Sequence, residues 1–375
     1  MNQKKLIIDA LAYQKSKSFG FQEYLFNLLD YFYKHRDLMQ FKQVMIVCQS
    51  SQINDFLIYE DKFDVRGYAV SNIFKRFWVQ TIYPFRFGLK KDDIILFTGN
   101  FTSYIKKCSY FVVIHDLLYL RKNLLPNRLM KLQRKIFVPR SLRIADKIIA
   151  ISEFTRQDIL DHYKFTDPRK VIRIYNYFNF GKFTDKQQVI DERLINVPYF
   201  LCVASAASHK NVITILRAFE KYCTRKPTIN LIVVGAVQDK TPVGEFLKTI
   251  DSVVKDRISI RSGISNVEIG NLYKYCEAYI SASYFEGLGM PVVEAMYFNS
   301  PLILSNLGVF REITGGEGIF FNPDSVEELT SIMINFDKKK CSCQYESLEM
   351  FSEHETSQKY IEIFNKQVQS VFEHF

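Results

Sequence analysis

Cysteine is sparse and scattered: seven residues in 375, an odd number. A fold held by a disulfide framework is therefore not expected. Cys341 and Cys343 form a Cys-x-Cys, but no second pair follows at metal-site spacing, so the pair reads as a surface coincidence. No apolar run approaches the ~20 residues that a membrane helix needs. Nor does the start resemble a secretory leader, since Lys4, Lys5, Leu6, Ile7 and Ile8 lead straight to Asp9. The expected location is the cytoplasm, with a peripheral position on the inner face of the cytoplasmic membrane left open. The loop after the first strand lacks Gly-x-Gly-x-x-Gly, which argues against a nicotinamide dehydrogenase. No helix-turn-helix, zinc-finger or RNA-recognition signature is present, so nucleic acid is not an expected partner. Short-period repeats and low-complexity tracts are absent as well.

What is present is enough chain for two cores. Hydrophobic residues make up 47% and charged residues 24%, an ordinary balance for a folded protein. The formal net charge of +10 points to an acidic partner: a phosphorylated ligand, an anionic lipid surface or, by charge alone, nucleic acid. Compact apolar runs alternate with helical periodicity along the sequence. Strands are expected at 5–10, 44–48, 94–97, 111–114 and 171–175 in the first half. In the second half they are expected at 199–205, 230–235, 258–261, 278–282, 301–304 and 318–321. Such alternation gives parallel sheets with helices on both faces.

The most informative stretch is residues 283–296, Ser-Tyr-Phe-Glu-Gly-Leu-Gly-Met-Pro-Val-Val-Glu-Ala-Met. A buried strand leads in, Gly287 and Gly289 allow a tight turn, and Pro291 suits the first residue of a helix. The amides at that helix start and the positive end of its dipole favour an anion. Glu286 and Glu294 flank this cradle. A bare Gly-rich turn between two solvated glutamates is the plain alternative.

The whole pattern, Ser-x-x-x-Glu-Gly-x-Gly-x-Pro-x-x-Glu-Ala-Met, resembles the signature of retaining GT-B glycosyltransferases of family 4. Its two glutamates are separated by seven residues. Other segments resemble that family too. Phe111-Val-Val-Ile-His-Asp resembles its strand-end histidine near the transferred sugar, which would be His115, with Asp116 beside it. A hydrogen-bonded structural histidine is the competing reading of the same residue. Ser152, expected as an N-cap, opens a segment like the family's Ser-x-x-x-(Lys/Arg), with Arg156 on the helix. Residues 204–211 resemble its Gly-x-x-x-x-Arg-Lys-Asn loop, although Ala204 replaces the glycine, His209 replaces the arginine, and Ser205 stands where other members carry an arginine.

The resemblance implies an α/β GT-B fold: two Rossmann-like domains with parallel sheets facing across a cleft. Residues 1–177 would be the acceptor-binding domain, 178–197 a linker, 198–352 the nucleotide-sugar domain, and 353–375 a helix packing back on the first domain. It implies transfer of a hexose from a nucleotide-diphosphate sugar to an acceptor hydroxyl with retention, in surface polysaccharide or lipopolysaccharide synthesis. Glu286, His115 and Lys210 would be catalytic. Gly20, Asp116, Arg156, His209, Gly263, Gly287, Leu288, Gly289, Met290 and Glu294 would bind substrate. Lys210 is the point charge for the diphosphate, and Gly20 and Gly263 are backbone contacts or plain turns. No Asp-x-Asp triplet occurs, in keeping with leaving-group stabilisation without a metal, and no cofactor is expected. The expected partners are a nucleotide sugar and a glycan or lipid-linked acceptor. An anionic membrane surface is a further one, through 121–143, where Arg121, Lys122, Arg128, Lys131, Arg134 and Lys135 begin a basic run with interleaved leucines. A second basic, aromatic stretch at 66–91, with Phe74, Trp78 and Phe85, supports the same reading. A GT-B epimerase, a non-catalytic carbohydrate- or membrane-binding relative, and a basic nucleic-acid binder are the rival classes.

Overall fold

The computed structural model describes residues 4–15, 19–122, 124–125, 127–183, 197–205, 207–225, 228–235, 241–341 and 344–369. Cys343 and most of the expected linker, 184–196, lie outside them. The chain divides into two compact units. One comprises Met1–Lys122, Pro126–Phe178 and Glu349–Phe375; the other comprises Asn123–Leu125 and Asn179–Leu348.

The first unit is built on a seven-stranded sheet in the order β3-β2-β1-β4-β5-β6-β7. Its strands are β1 (Lys5–Asp9), β2 (Gln43–Gln49), β3 (Asp64–Tyr68), β4 (Ile94–Phe97), β5 (Ser109–Ile114), β6 (Lys147–Ala150) and β7 (Val171–Arg173). Every neighbouring pair is parallel. The runs Leu6–Ile8 and Ile94–Phe97 are wholly buried, as strands of a parallel sheet covered on both faces must be. β3 has no such run; its residues are half-buried or exposed, and the sequence does not announce it.

Four helices of this unit bear on the argument: α1 (Phe19–Lys34), α2 (Ile73–Arg86), α3 (Arg128–Ile144) and α4 (Glu153–His162). Asn72, Asn127 and Ser152 cap the last three by accepting from the backbone amides of Lys75, Met130 and Thr155. Gly20 is a correction to the sequence reading. It sits inside α1 rather than in the loop before it, and a Cβ there would meet nothing within 4 Å. The helix Ser357–Gln369 packs within the same unit. Its Tyr360 hydroxyl lies 2.9 Å from that of Tyr24, and Phe364 meets the rings of Phe111 and Phe32 at 5.5 and 5.9 Å. Each such buried ring contributes roughly 2–3 kcal/mol by area removed from water.

The second unit carries a six-stranded sheet in the order β10-β9-β8-β11-β12-β13. The strands are β8 (Tyr199–Val203), β9 (Asn230–Val234), β10 (Ile258–Arg261), β11 (Ala278–Ser281), β12 (Leu302–Ser305) and β13 (Ile319–Phe321). All pairs are again parallel. Phe200, Ile215, Leu216, Phe219, Leu231 and Ile303 lie at the heart of its core.

Strand order reverses between β1 and β4 in the first unit and between β8 and β11 in the second. In open α/β sheets, the crevice outside the carboxyl ends of such neighbouring strands is where ligands bind. That rule selects the loops at 10–15 and 98–100 in one unit, and at 204–211 and 282–290 in the other.

Candidate active site

In the second unit the two selected loops meet. β8 runs out into Ala204 and Ser205, and residues 208–210 form a short 3-10 turn that ends in Lys210. β11 runs out into Ser283, Tyr284, Phe285 and Glu286. Lys210 Nζ donates to both carboxylate oxygens of Glu286, at 2.7 and 2.9 Å. Ser283 Oγ donates to the same Oε1 at 2.7 Å. The backbone joins in: the amide of Tyr284 donates to the His209 carbonyl at 2.7 Å.

Asn211 clamps this junction. Its backbone is left-handed at φ 50°, a conformation that asparagine tolerates better than most residues. Its side-chain amide donates to the carbonyls of Ala282 at 3.1 Å and Pro323 at 2.9 Å. Thr214 fills the remaining acceptor, donating to Asn211 Oδ1 at 2.9 Å. Buried polar groups with every bond made hold one geometry, because the unbonded alternative costs desolvation.

After Glu286 the chain turns through Gly287, Leu288 and Gly289 into the helix Met290–Tyr297. Gly289 has φ +97°, and a Cβ there would lie 2.7 Å from Phe310 Cε1. Only glycine satisfies both demands. Pro291 is the second helical residue, one place later than the sequence reading put it. The amides of Val292 and Val293 return to the Gly289 carbonyl, so the anion cradle is restricted to the turn before them. Leu288 is buried and can serve a ligand only through its backbone.

Glu294, one turn into that helix, is 8% exposed. Lys182 Nζ donates to its Oε1 at 2.8 Å, and the Tyr273 hydroxyl donates to Oε2 at 2.7 Å. Burial, with Glu294 next, pushes the Tyr273 hydroxyl far above its ordinary pKa, so it remains a donor. A carboxylate offers about four acceptor positions, and two remain for a ligand. Gly263 follows β10 in a left-handed turn at φ +66° with open space around it. Burial raises the thiols of Cys202 and Cys276 to about 12. Neither thiol is a nucleophile at neutral pH.

In the first unit, His115 stands at the carboxyl end of β5. Its amide donates to Asn100 Oδ1 at 2.8 Å, and Nε2 lies 2.8 Å from the Thr98 carbonyl. A carbonyl only accepts, so the proton is on Nε2 and Nδ1 presents a lone pair. Phe21 and Tyr24 close on the ring edge-to-face at 5.3 and 4.9 Å. Burial lowers the ring's pKa from 6.5, with the Thr98 carbonyl and Asp116 opposing and Arg134 reinforcing. The native imidazole is neutral at pH 7 and acts as an acceptor. Between pH 6.5 and its lower folded value the unfolded chain binds the extra proton, so stability falls as pH falls. We expect wild type to lose more unfolding free energy than His115→Gln as pH drops from 7.5 to 5, measured by urea titration. Parallel curves would show that the ring is not held neutral.

Asp116 Oδ1 accepts from the Leu118 amide at 3.0 Å and lies 3.4 Å from Arg134 Nη1. Arg156 pairs with Glu153 at 2.8 Å and donates from Nε to the Val171 carbonyl at 3.3 Å. Both are braced by their own unit. Asp9, at the end of β1, is buried and accepts from Tyr83 at 2.8 Å, Gln80 at 3.1 Å and the Leu11 amide at 3.2 Å.

The family model described as "Glycosyl transferases group 1" matches residues 185–354. Over that stretch the chain is similar to group 1 glycosyltransferases. Its fold is GT-B. Among relatives, it is 24% identical over 301 residues to the O-antigen chain mannosyltransferase RfbU of Salmonella typhimurium, covering 75% of this chain and 80% of that one. It is 27% identical over 209 residues to the GDP-mannose:cellobiosyl-diphosphopolyprenol alpha-mannosyltransferase of Komagataeibacter xylinus, covering 53% and 49%. Among solved structures, sucrose-phosphate synthase of Thermosynechococcus elongatus superposes with a TM-score of 0.73 at 14% identity, covering 98% of this chain and all of that one (100%).

Within the second unit, Lys210, Glu286 and the Gly287–Gly289 turn come together, with Glu294 on the helix that follows. Lys182, Tyr273 and Asn211 were not legible as site residues. Lys182 lies in a stretch that reads as linker, and Tyr273 is one tyrosine among 22. Asn211 alone carried a signal, the Lys-Asn dipeptide at a helix start.

Proposed function

We propose that the protein is a glycosyltransferase that moves a mannosyl residue from GDP-mannose to a hydroxyl of a lipid-diphosphate-linked glycan, with retention, during surface polysaccharide assembly. The observation that carries the reading is the Lys210–Glu286 pair at the carboxyl ends of β8 and β11. There one ammonium and one carboxylate, held by fixed loops, can divide the donor between them. The donor and acceptor classes are supported by what the two mannosyltransferase relatives are named for.

As the anomeric C–O bond lengthens, negative charge gathers on the departing diphosphate and positive charge on the sugar. Lys210 and the turn at Gly287, Gly289 and Met290 would meet the first where it develops. Glu286 would hold sugar hydroxyls. Glu294 would accept the ribose hydroxyls, with Lys182 and Tyr273 holding it in orientation. On the first unit, His115 would accept a hydroxyl proton contact through Nδ1, with Gly20, Asp116 and Arg156 as further candidate contacts. His209 and Gly263 would border the nucleotide. The chain's own cations take the diphosphate charge, and no metal or cofactor is proposed.

The test is a thermal-shift panel of GDP-, UDP-, ADP- and dTDP-sugars, each with and without a chelator. GDP-mannose is expected to stabilise the fold by ~2.7 kcal/mol at a hundredfold excess over its Kd, chelator or not. Stabilisation by a different nucleotide would overturn the donor, and no shift with any would overturn the site.

A further inference from the structure

We propose that α2, α3 and the segment at 104–105 form one surface that docks on an anionic lipid bilayer. Each helix presents an apolar stripe to solvent instead of to the core. On α2 the stripe is Phe74, Trp78 and Phe85, with Trp78 63% exposed. On α3 it is Leu129, Leu132 and Ile136, with Leu129 58% and Ile136 57% exposed. These spacings keep each set on one side of its helix. The core-facing side of α3 is separately supplied by Gln133, Val138, Ser141 and Leu142, so packing has not used the outer set. A helix that packs only on its own protein shows water its polar residues.

The two stripes belong to one face. Phe77 of α2 and Phe137 of α3 stack at 4.4 Å beneath it. Phe74 and Leu129 line the same groove of about 380 Å³, with Asn72, Asn127, Met130 and Gln133. Tyr104 joins the face: its amide donates to Thr81 Oγ1 at 3.3 Å, its carbonyl accepts from Arg140, and the Arg140 guanidinium lies 3.7 Å over its ring. Ile105, beside it, is exposed.

Charge selects the occupant. α2 exposes Lys75 and Arg86, α3 exposes Arg128, Lys135 and Arg143, and neither helix contains an acidic residue. A second copy placed against this face would oppose cations with cations. Bare aliphatic groups such as Leu129, Leu132 and Ile136 gain nothing from a phosphate backbone. An anionic bilayer satisfies both parts: aromatic and aliphatic groups enter the headgroup boundary while lysines and arginines meet lipid phosphates. The inference joins the two basic stretches expected from sequence, 121–143 and 66–91, into one face, and the second of them carries the chain's single tryptophan. It does not depend on the choice of donor sugar.

Trp78 makes the test direct. The full chain is mixed with vesicles of phosphatidylcholine alone or with about 30% phosphatidylglycerol. Co-sedimentation and a blue shift of Trp78 emission are expected only with the anionic vesicles, and both should weaken at 0.5 M salt. Leu132→Ser/Ile136→Ser should partition roughly tenfold more weakly at unchanged melting temperature, because neither side chain supports the core. Absence of binding to anionic vesicles at low salt would overturn the proposal. So would equal binding to both vesicles, or a double variant that binds like wild type, or competition by an oligonucleotide with no emission shift in lipid. No nucleotide sugar enters the assay, so failure here leaves the transfer reading separately testable.

Discussion

Lys210→Ala is expected to lower turnover roughly 10²–10³-fold, the loss typical of removing one preorganised stabiliser of a developing anion. The charge involved is the one that appears on the departing diphosphate. Lys210 carries the ammonium that faces Glu286, and its side chain is only 20% exposed. Water cannot replace it at low cost. The measurement is the initial rate of sugar transfer at saturating donor, with the affinity for the free nucleotide diphosphate measured beside it. A nucleotide affinity and a rate both within a factor of two of wild type would remove Lys210 from the mechanism.

A single alanine leaves one ambiguity, because Glu286, 11% exposed, would lose its partner. Stranding one member of such a pair costs about 3 kcal/mol in stability. The neutral pair Lys210→Met/Glu286→Gln separates the two effects. If the ion pair only braces the loops, the double variant regains both fold and affinity for the free nucleotide diphosphate, since Ser283 still donates to the side chain at 286 and Asn211 still clamps the junction. If Lys210 acts on the diphosphate, the double variant melts like wild type but binds the nucleotide diphosphate as weakly as Lys210→Ala. The second outcome is expected. The rotational freedom of a lysine suits this role: the same Nζ that sits on Glu286 can turn to phosphate oxygens without moving backbone.

The sequence spoke clearly where chemistry is local. Residues 283–296 announced a strand, a glycine turn and a helix, and the structure places β11, Gly289 at φ +97° and the helix Met290–Tyr297 there. Buried parallel strands announced themselves as apolar runs, since both their faces are covered. β3 did not, because an edge strand with Asp64, Arg66 and Gly67 has no apolar face to show. Lys182 and Tyr273 were silent for another reason. Their roles exist only once the fold has brought them to Glu294 across sequence separations of 112 and 21. The same holds for Thr98, whose carbonyl fixes the tautomer of His115, and for Asn100, which holds the His115 amide. Motifs report the groups that touch substrate; the groups that aim them are distributed by the fold.

Gly235 is the sharpest instance, and substituting it has the largest expected cost in stability. In sequence it only closes an apolar run. In the structure it has φ +144°, and a Cβ there would fall 1.9 Å from the Ala204 carbonyl oxygen. That contact is with backbone, so no rotamer change relieves it. The carbonyl belongs to the residue that follows β8 and begins the loop to Lys210, and the Ala204 amide donates to the Val234 carbonyl at 2.9 Å. Gly235→Ala must therefore push two loops apart or break their ladder. Strain at the left-handed backbone and overpacking against fixed atoms together are worth about 4 kcal/mol. The unfolding midpoint in urea should fall accordingly. Any folded variant should bind nucleotide more weakly, because the displaced loop carries Lys210 away from Glu286. Gly263→Ala provides the control: it also sits at positive φ, but nothing lies within 4 Å of its Cβ position. It should lose only the backbone strain, about 1 kcal/mol. Equal destabilisation by the two substitutions would mean that conformation alone, and not the approach of β9 to Ala204, sets the requirement for glycine.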